Sequence, residues 1–187
     1  GGIWGGTFHH MANRLLRRHS SLLGYENDYA LLDRDDSRTL ISNCIKDRGF
    51  LRKEFPKPDI LLNIAGTAAN ARRPVEKIVE GRYHEFDVDV ANIVQVINDY
   101  EKKKHKLVAM DFDDLLVNCV KLLGEHQDIR AKYQEQFLNV LVDEYQDTNA
   151  LQAQIVDSLG GKHKNVFVVG DDFQSIYSWR GADFRNI

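Results

Sequence analysis

The chain has 187 residues, 43% hydrophobic and 28% charged, with 3 prolines; this is the composition of a soluble globular protein of one or two domains and excludes collagen-like, low-complexity and mostly disordered chains. Lysine and arginine number 25 against 28 acids, a formal net charge of −3, so any binding to nucleic acid has to be local. Cys44 and Cys119 are far apart without CxxC spacing, and no apolar run approaches the roughly 20 residues of a membrane span, so a cytoplasmic protein with two buried thiols and no membrane segment is expected.

In chain order, Ile3 to Phe8 is short, apolar and glycine-punctuated like a strand end, and it runs into HHMANRLLRRHSSLLG. There Met11, Leu15, Leu16, Leu22 and Leu23 recur at helical spacing, with Gly24 as the stop. Arg14, Arg17 and Arg18 make this the most one-sidedly basic part of the chain, which suits either a nucleic-acid contact or a solvated helix face. From about 33 to 136 the pattern is helical throughout. Asp35 or Asp36 caps a segment ending near Gly49, Pro74 opens a short helix closed by Gly81, and a longer helix with Val88, Ile93, Val94, Val96 and Ile97 on its apolar side runs out in KKKHK at 102–106. Another helix starts near Asp111.

At Phe137 the pattern changes. FLNVLVDEYQD is an apolar run ending in acids, TNALQAQIVDSLGG an amphipathic helix stopped by Gly160 and Gly161, and NVFVVGDD a second apolar run ending in acids. Phe137 to Val169 has the length of one strand-helix-strand unit with parallel strands. Ligands of such sheets sit at the carboxyl ends of the strands, where both acid clusters fall. A strand ending in Asp143-Glu144 is the pattern of a nucleotide-site Mg²⁺ strand, in which one carboxylate reaches the hydrated metal and its neighbour orients or deprotonates water. The same acids could instead cap a strand, and Asp147 could N-cap the next helix. After the second strand, GDDFQSIYSWRGAD places acids, an amide, two aromatic rings and an arginine on one short loop; Tyr177 and Trp179 offer faces for base stacking, or pack a corner.

VDEYQDTN followed by VFVVGDDFQSIYSWRGAD, with TFHHMANRLLRRH far upstream and MDFDDLL between, resembles the superfamily 1 DNA helicases of the UvrD/Rep/PcrA group over essentially the whole chain. The resemblance implies an α/β fold: an incomplete RecA-like parallel-sheet P-loop NTPase core with a large all-helical insertion. Residues 1–24 and 131–187 would belong to subdomain 1A and residues 25–130 to the helical subdomain 1B. It further implies that Asp143 holds Mg²⁺, that Glu144 is the general base, and that Gln146 and Gln174 sense the terminal phosphate. Tyr177, Trp179 and Arg180 would meet DNA together with Thr7, Phe8 and His9. Asp113 and Asp114, in the family's FDDL segment, are expected to be structural.

No G-x-x-x-x-G-K-[ST] stands in these residues, and Gly160-Gly161-Lys162-His163 reads as a helix stop. The expectation is therefore an internal piece of an ATP-dependent 3′ to 5′ DNA helicase or translocase. The parent would use ATP and Mg²⁺ on single-stranded DNA and at junctions of single- and double-stranded DNA. The 187 residues alone would bind neither cofactor tightly and would not turn over ATP. The alternative is a non-catalytic DNA-binding or partner-binding module, acting through Arg14, Arg17, Arg18 and the KKKHK run in a salt-sensitive way.

Overall fold

The computed structural model describes residues 2–50, 55–83 and 89–171. They are mostly helical with two small parallel sheets, compatible with an α/β chain, and they divide into two compact units, Gly1–Asn27 with Asp114–Ile187, and Asp28–Asp113. The family resemblance implies boundaries at 25 and 130 for the helical part, where the compact unit runs from Asp28 to Asp113.

In the first unit the strand expected over Ile3 to Phe8 does not form; α1 (Phe8–His19) begins directly. The Thr7 hydroxyl accepts the His10 N–H at 3.2 Å, an N-cap that commits the chain to a helix at this point. Ala12, Leu15 and Leu16 form the buried stripe, and a 3₁₀ turn, Ser20–Leu23, ends at Gly24 in the left-handed region.

The second unit opens on β1 (Ala30–Leu31) and α2 (Arg34–Asp47). Its cap is Asp33 rather than Asp35 or Asp36. The Asp33 carboxylate accepts both the Asp35 and the Asp36 N–H at 2.8 Å, and Asp36 reaches back to the Asp33 N–H, so the two downstream acids occupy the positive first turn instead. Next come α3 (Pro58–Ala71), α4 (Val75–Arg82), α5 (Val90–Lys106) and β2 (Ala109–Met110). Gly81 lies within the last turn of α4 rather than beyond it. The apolar faces of these helices meet in one core built on Ile41, Cys44, Leu61, Ile64, Ile93, Val96 and Tyr100. The region read as helical throughout, 33–136, also contains β2, which pairs in parallel with β1 just before that region, Ala30 opposite Ala109 and Leu31 opposite Met110; strands of two residues carry no period that a sequence could display.

The charged end of α5 is built into this unit. Lys104 is 2% exposed, with its ammonium 2.7 Å from Asp111 and 3.0 Å from Glu101, and Lys103 pairs with Asp47 at 2.6 Å. The Tyr100 hydroxyl donates to Asp111 at 2.8 Å; burial foremost, then the Asp111 charge, pushes its pKa far up, so it remains a donor. Asp113 accepts from the Asn70 amide at 2.7 Å, and a Cβ on Gly66 would sit 2.5 Å from its carboxylate, which fixes Asp113 against α3.

The boundary falls in the first turn of α6 (Phe112–Glu125), which is followed by α7 (Gln127–Gln136), β3 (Val140–Val142), α8 (Ala150–Gly160) and β4 (Val166–Val168). The expected strand-helix-strand unit is present, with β3 and β4 parallel and Val140, Leu141 and Val142 opposite Val166, Phe167 and Val168. Asp147 does not cap α8. Asn149 does, in a reciprocal box with Gln152. Gly160, the last residue of α8, is glycine for reasons of space: a Cβ there would run into Val166 Cγ2 of β4. Both cysteines are buried free thiols, and burial pushes that of Cys119 up to about 12.

Candidate active site

The carboxyl ends of β3 and β4 are joined by two backbone hydrogen bonds beyond the strands, Val169 N–H to Val142 O at 2.8 Å and Tyr145 N–H to Val169 O at 2.9 Å. The DEYQD acids and the first residues of the GDD turn are thereby brought side by side, although some 25 residues of chain separate them. Beneath them lies an apolar floor of Val142, Tyr145 and Val156, with Phe8 and Val140 packed against it. Phe8, expected at a DNA contact, is thus half-buried in the floor, and Thr7 spends its hydroxyl on the α1 cap. His9 stands in the first turn of α1, half-buried.

Asp143 and Glu144 are both exposed at the end of β3. The Asp143 carboxylate accepts the Glu144 N–H at 3.0 Å, and Glu144 takes φ 53°, ψ 42°, a left-handed conformation costing a non-glycine residue roughly 1–2 kcal/mol. This turn ends the strand and starts a 3₁₀ segment, Tyr145–Asp147, stabilised by Thr148 Oγ1 donating to Tyr145 O at 2.7 Å.

Gln146 is fully buried. Its Nε2 donates to Glu144 Oε2 at 2.6 Å and its Oε1 accepts the Asp171 N–H at 3.0 Å. A carboxylate demands a donor and an N–H demands an acceptor, so the two partners fix which way the amide points. Expected to touch a phosphate, Gln146 here has both amide groups engaged within the protein. One oxygen of Asp147 is buried with no hydrogen-bond partner among the described residues. Gln174, Tyr177, Trp179 and Arg180 lie outside the described residues.

The donor chemistry at the strand end suits a hydrated Mg²⁺, which takes hard oxygen ligands and keeps several waters while bound through one or two carboxylates; Asp143 presents such a carboxylate to solvent.

The basic face of α1 is largely committed. The Arg14 and Arg18 guanidinium groups lie 3.8 and 5.0 Å from the Trp4 ring centroid, and Arg17 donates to Asn27 O at 3.2 Å. Trp4 in turn meets Tyr133 and Phe137 edge-on at 5.8 and 5.2 Å. Two functional features escaped the sequence reading: the burial of Gln146, and the need for glycine at 170, where a Cβ would stand 2.6 Å from Gln146 Oε1. An amide two residues after the acid pair and a glycine directly after an apolar strand were the signals available.

A family model described as UvrD/REP helicase N-terminal domain matches residues 1–187. Similar curated proteins include an ATP-dependent DNA helicase PcrA of Bacillus subtilis (strain 168), 38% identical over 187 residues, which are 99% of this chain and 24% of that protein. The protein of the same name from Staphylococcus aureus (strain Mu50 / ATCC 700699) is 34% identical over 185 residues, 99% of this chain and 25% of its own length. The chain thus spans about a quarter of the length of these relatives.

Proposed function

Because the chain belongs to the UvrD/REP helicase N-terminal domain family, we propose that it forms part of an ATP-dependent DNA helicase or translocase and carries half of its nucleotide site on an incomplete RecA-like core. The observation that carries the reading is the pairing of the two strand ends, which sets the Asp143-Glu144 acids beside Gly170-Asp171 at the carboxyl edge of a parallel sheet. The exposure of Leu141 and Phe167, at 77% and 61%, supports a sheet face that is covered by another part of a longer protein, since parallel sheets are ordinarily covered on both faces.

In this reading ATP, bound with Mg²⁺, supplies the electrophilic terminal phosphoryl group. Asp143 holds the metal through its carboxylate. Glu144, the next residue along the chain and exposed, orients a water molecule and accepts its proton. Gln174 senses the terminal phosphate, Tyr177 and Trp179 stack on single-stranded DNA bases, and Arg180 meets DNA with them, as the family pattern has it. Thr7 and His9 line the DNA side at the start of α1, and Phe8 anchors that segment to the floor beneath the acids. The partners are single-stranded DNA and its junctions with duplex.

The test is Glu144→Gln in the longer protein that carries this chain. DNA-stimulated phosphate release should fall by about 10²- to 10⁴-fold, the range for loss of a general base, with ATP still bound. A variant with the wild-type rate would overturn the reading. The 187 residues alone contain no lysine-bearing phosphate loop and should release no phosphate; turnover by the isolated chain would refute that part. The alternative of a DNA- or partner-binding module is weakened by the engagement of Lys103 and Lys104 and the stacking of Arg14 and Arg18 on Trp4.

A further inference from the structure

We propose that Gln146 is a positioning residue that locks the Glu144 carboxylate to the backbone at Gly170–Asp171, so that any displacement of the chain just after β4 moves the base. The inference rests on the functional reading above and adds to it a mechanical link that the acid pair by itself does not have.

Three observations carry it. Gln146 is 0% exposed, so its amide is not free to choose solvent partners. Its two ends hold different things: Nε2 holds Glu144 Oε2 at 2.6 Å, and Oε1 holds the Asp171 N–H at 3.0 Å. Gly170 leaves the room this requires. Its φ is not in the left-handed region that would call for glycine by itself, so the constraint is one of space, with a Cβ at 2.6 Å from Oε1 and 3.2 Å from the Gln146 backbone nitrogen. The consequence follows from the covalent geometry of a planar amide. Pulling Oε1 with the Asp171 N–H must swing Nε2, and with it the carboxylate it holds. Glu144 already sits in a left-handed conformation, where the tether opposes relaxation of the backbone. Asp171 is three residues before Gln174 in the sequence, so the state of the phosphate sensor and the aim of the base would be read through one buried amide.

The experiment is a double-mutant cycle in the longer protein that carries this chain, with ATP turnover measured at saturating single-stranded DNA. Gln146→Ala and Gly170→Ala should each lower kcat by about 10²-fold, the scale of a misplacement of about 1 Å at a reacting group, with KM for ATP changed less than about threefold. The double variant should be little slower than Gln146→Ala alone, because the side-chain amide that the alanine Cβ would strike at 2.6 Å is then gone and only the looser approach to the backbone nitrogen remains. Gln146→Leu, which fills the buried volume without hydrogen bonds, should lose kcat equally. Gln146→Glu, which keeps an acceptor for Asp171 but sets a like charge against Glu144, should not recover it. Additive losses in the cycle, a wild-type kcat in Gln146→Leu, or an effect on KM alone would overturn the proposal. Glu144→Gln separates the two levels. If it retains full rate, the functional reading fails and the positioning role with it; if it is inactive while Gln146→Leu keeps full rate, only the positioning role fails.

Discussion

Replacing Lys104 with methionine keeps the apolar stem and removes a cation that is 2% exposed. At 2.7 Å from Asp111 and an effective dielectric constant of about 20, the gross attraction is about 6 kcal/mol. Against it stands the cost of keeping two charges from water, several kcal/mol per ion. The variant loses the attraction while Asp111, its side chain 15% exposed, still bears its charge with Tyr100 as a remaining donor. Loss of one partner of such a pair costs about 3–5 kcal/mol. Lys104→Met/Asp111→Asn, which removes both charges, should recover most of it. Urea unfolding followed by circular dichroism measures both, and Lys102→Ala, an exposed neighbour, should change stability by less than about 0.5 kcal/mol. A Lys104→Met cost under about 1 kcal/mol, or a double variant less stable than the single, would refute the reasoning. The same assignment predicts that Lys104 makes no contribution to the salt dependence of DNA binding.

Two further outcomes follow from the first unit. Gly160→Ala should lower stability by about 1–3 kcal/mol through overpacking, and Val166→Ala, which removes the methyl that the new Cβ would strike, should relieve most of it in thermal melts. His19 has its pKa lowered from 6.5, by burial foremost, then by Lys132 and Arg18, with Asp128 opposing. The unfolded chain therefore takes up a proton at higher pH than the folded one, so stability falls as pH drops through 6.5 and levels off below the lowered value; His19→Gln should flatten that slope, and an unchanged slope would show that other groups set it.

The strand-helix-strand unit was legible because each apolar run ends in acids, the second after a glycine, and because one helix of suitable length lies between them. The carboxyl-edge placement of Asp143 and Glu144 came with it. Helix starts were less legible where several capping residues stand together: Asp33, Asp35 and Asp36 are chemically alike, and only the backbone geometry selects the first. Asp147 and Asn149 pose the same choice, decided by the Gln152 side chain three residues on. In KKKHK the letters do not say which lysine is inside, yet the spacing Ile93, Val96, Ile97, Tyr100, Lys104 continues the buried face of α5, so helical phase could have singled out Lys104. The family pattern implies a phosphate contact for Gln146; the room its buried amide takes beside Gly170 is a tertiary fact that no local pattern displays.

The pairing of β1 with β2 sets residues at the two ends of the helical unit in adjacent strands, about 4.8 Å apart. A segment whose ends meet in this way could be excised and bridged by a few flexible residues, or given new termini elsewhere and closed on itself, without rethreading its helices. Closing so long a loop costs about 4 kcal/mol of chain entropy. Two residue pairs do not offset that cost by themselves, so the ladder depends on the core that α2, α3 and α5 build between its ends.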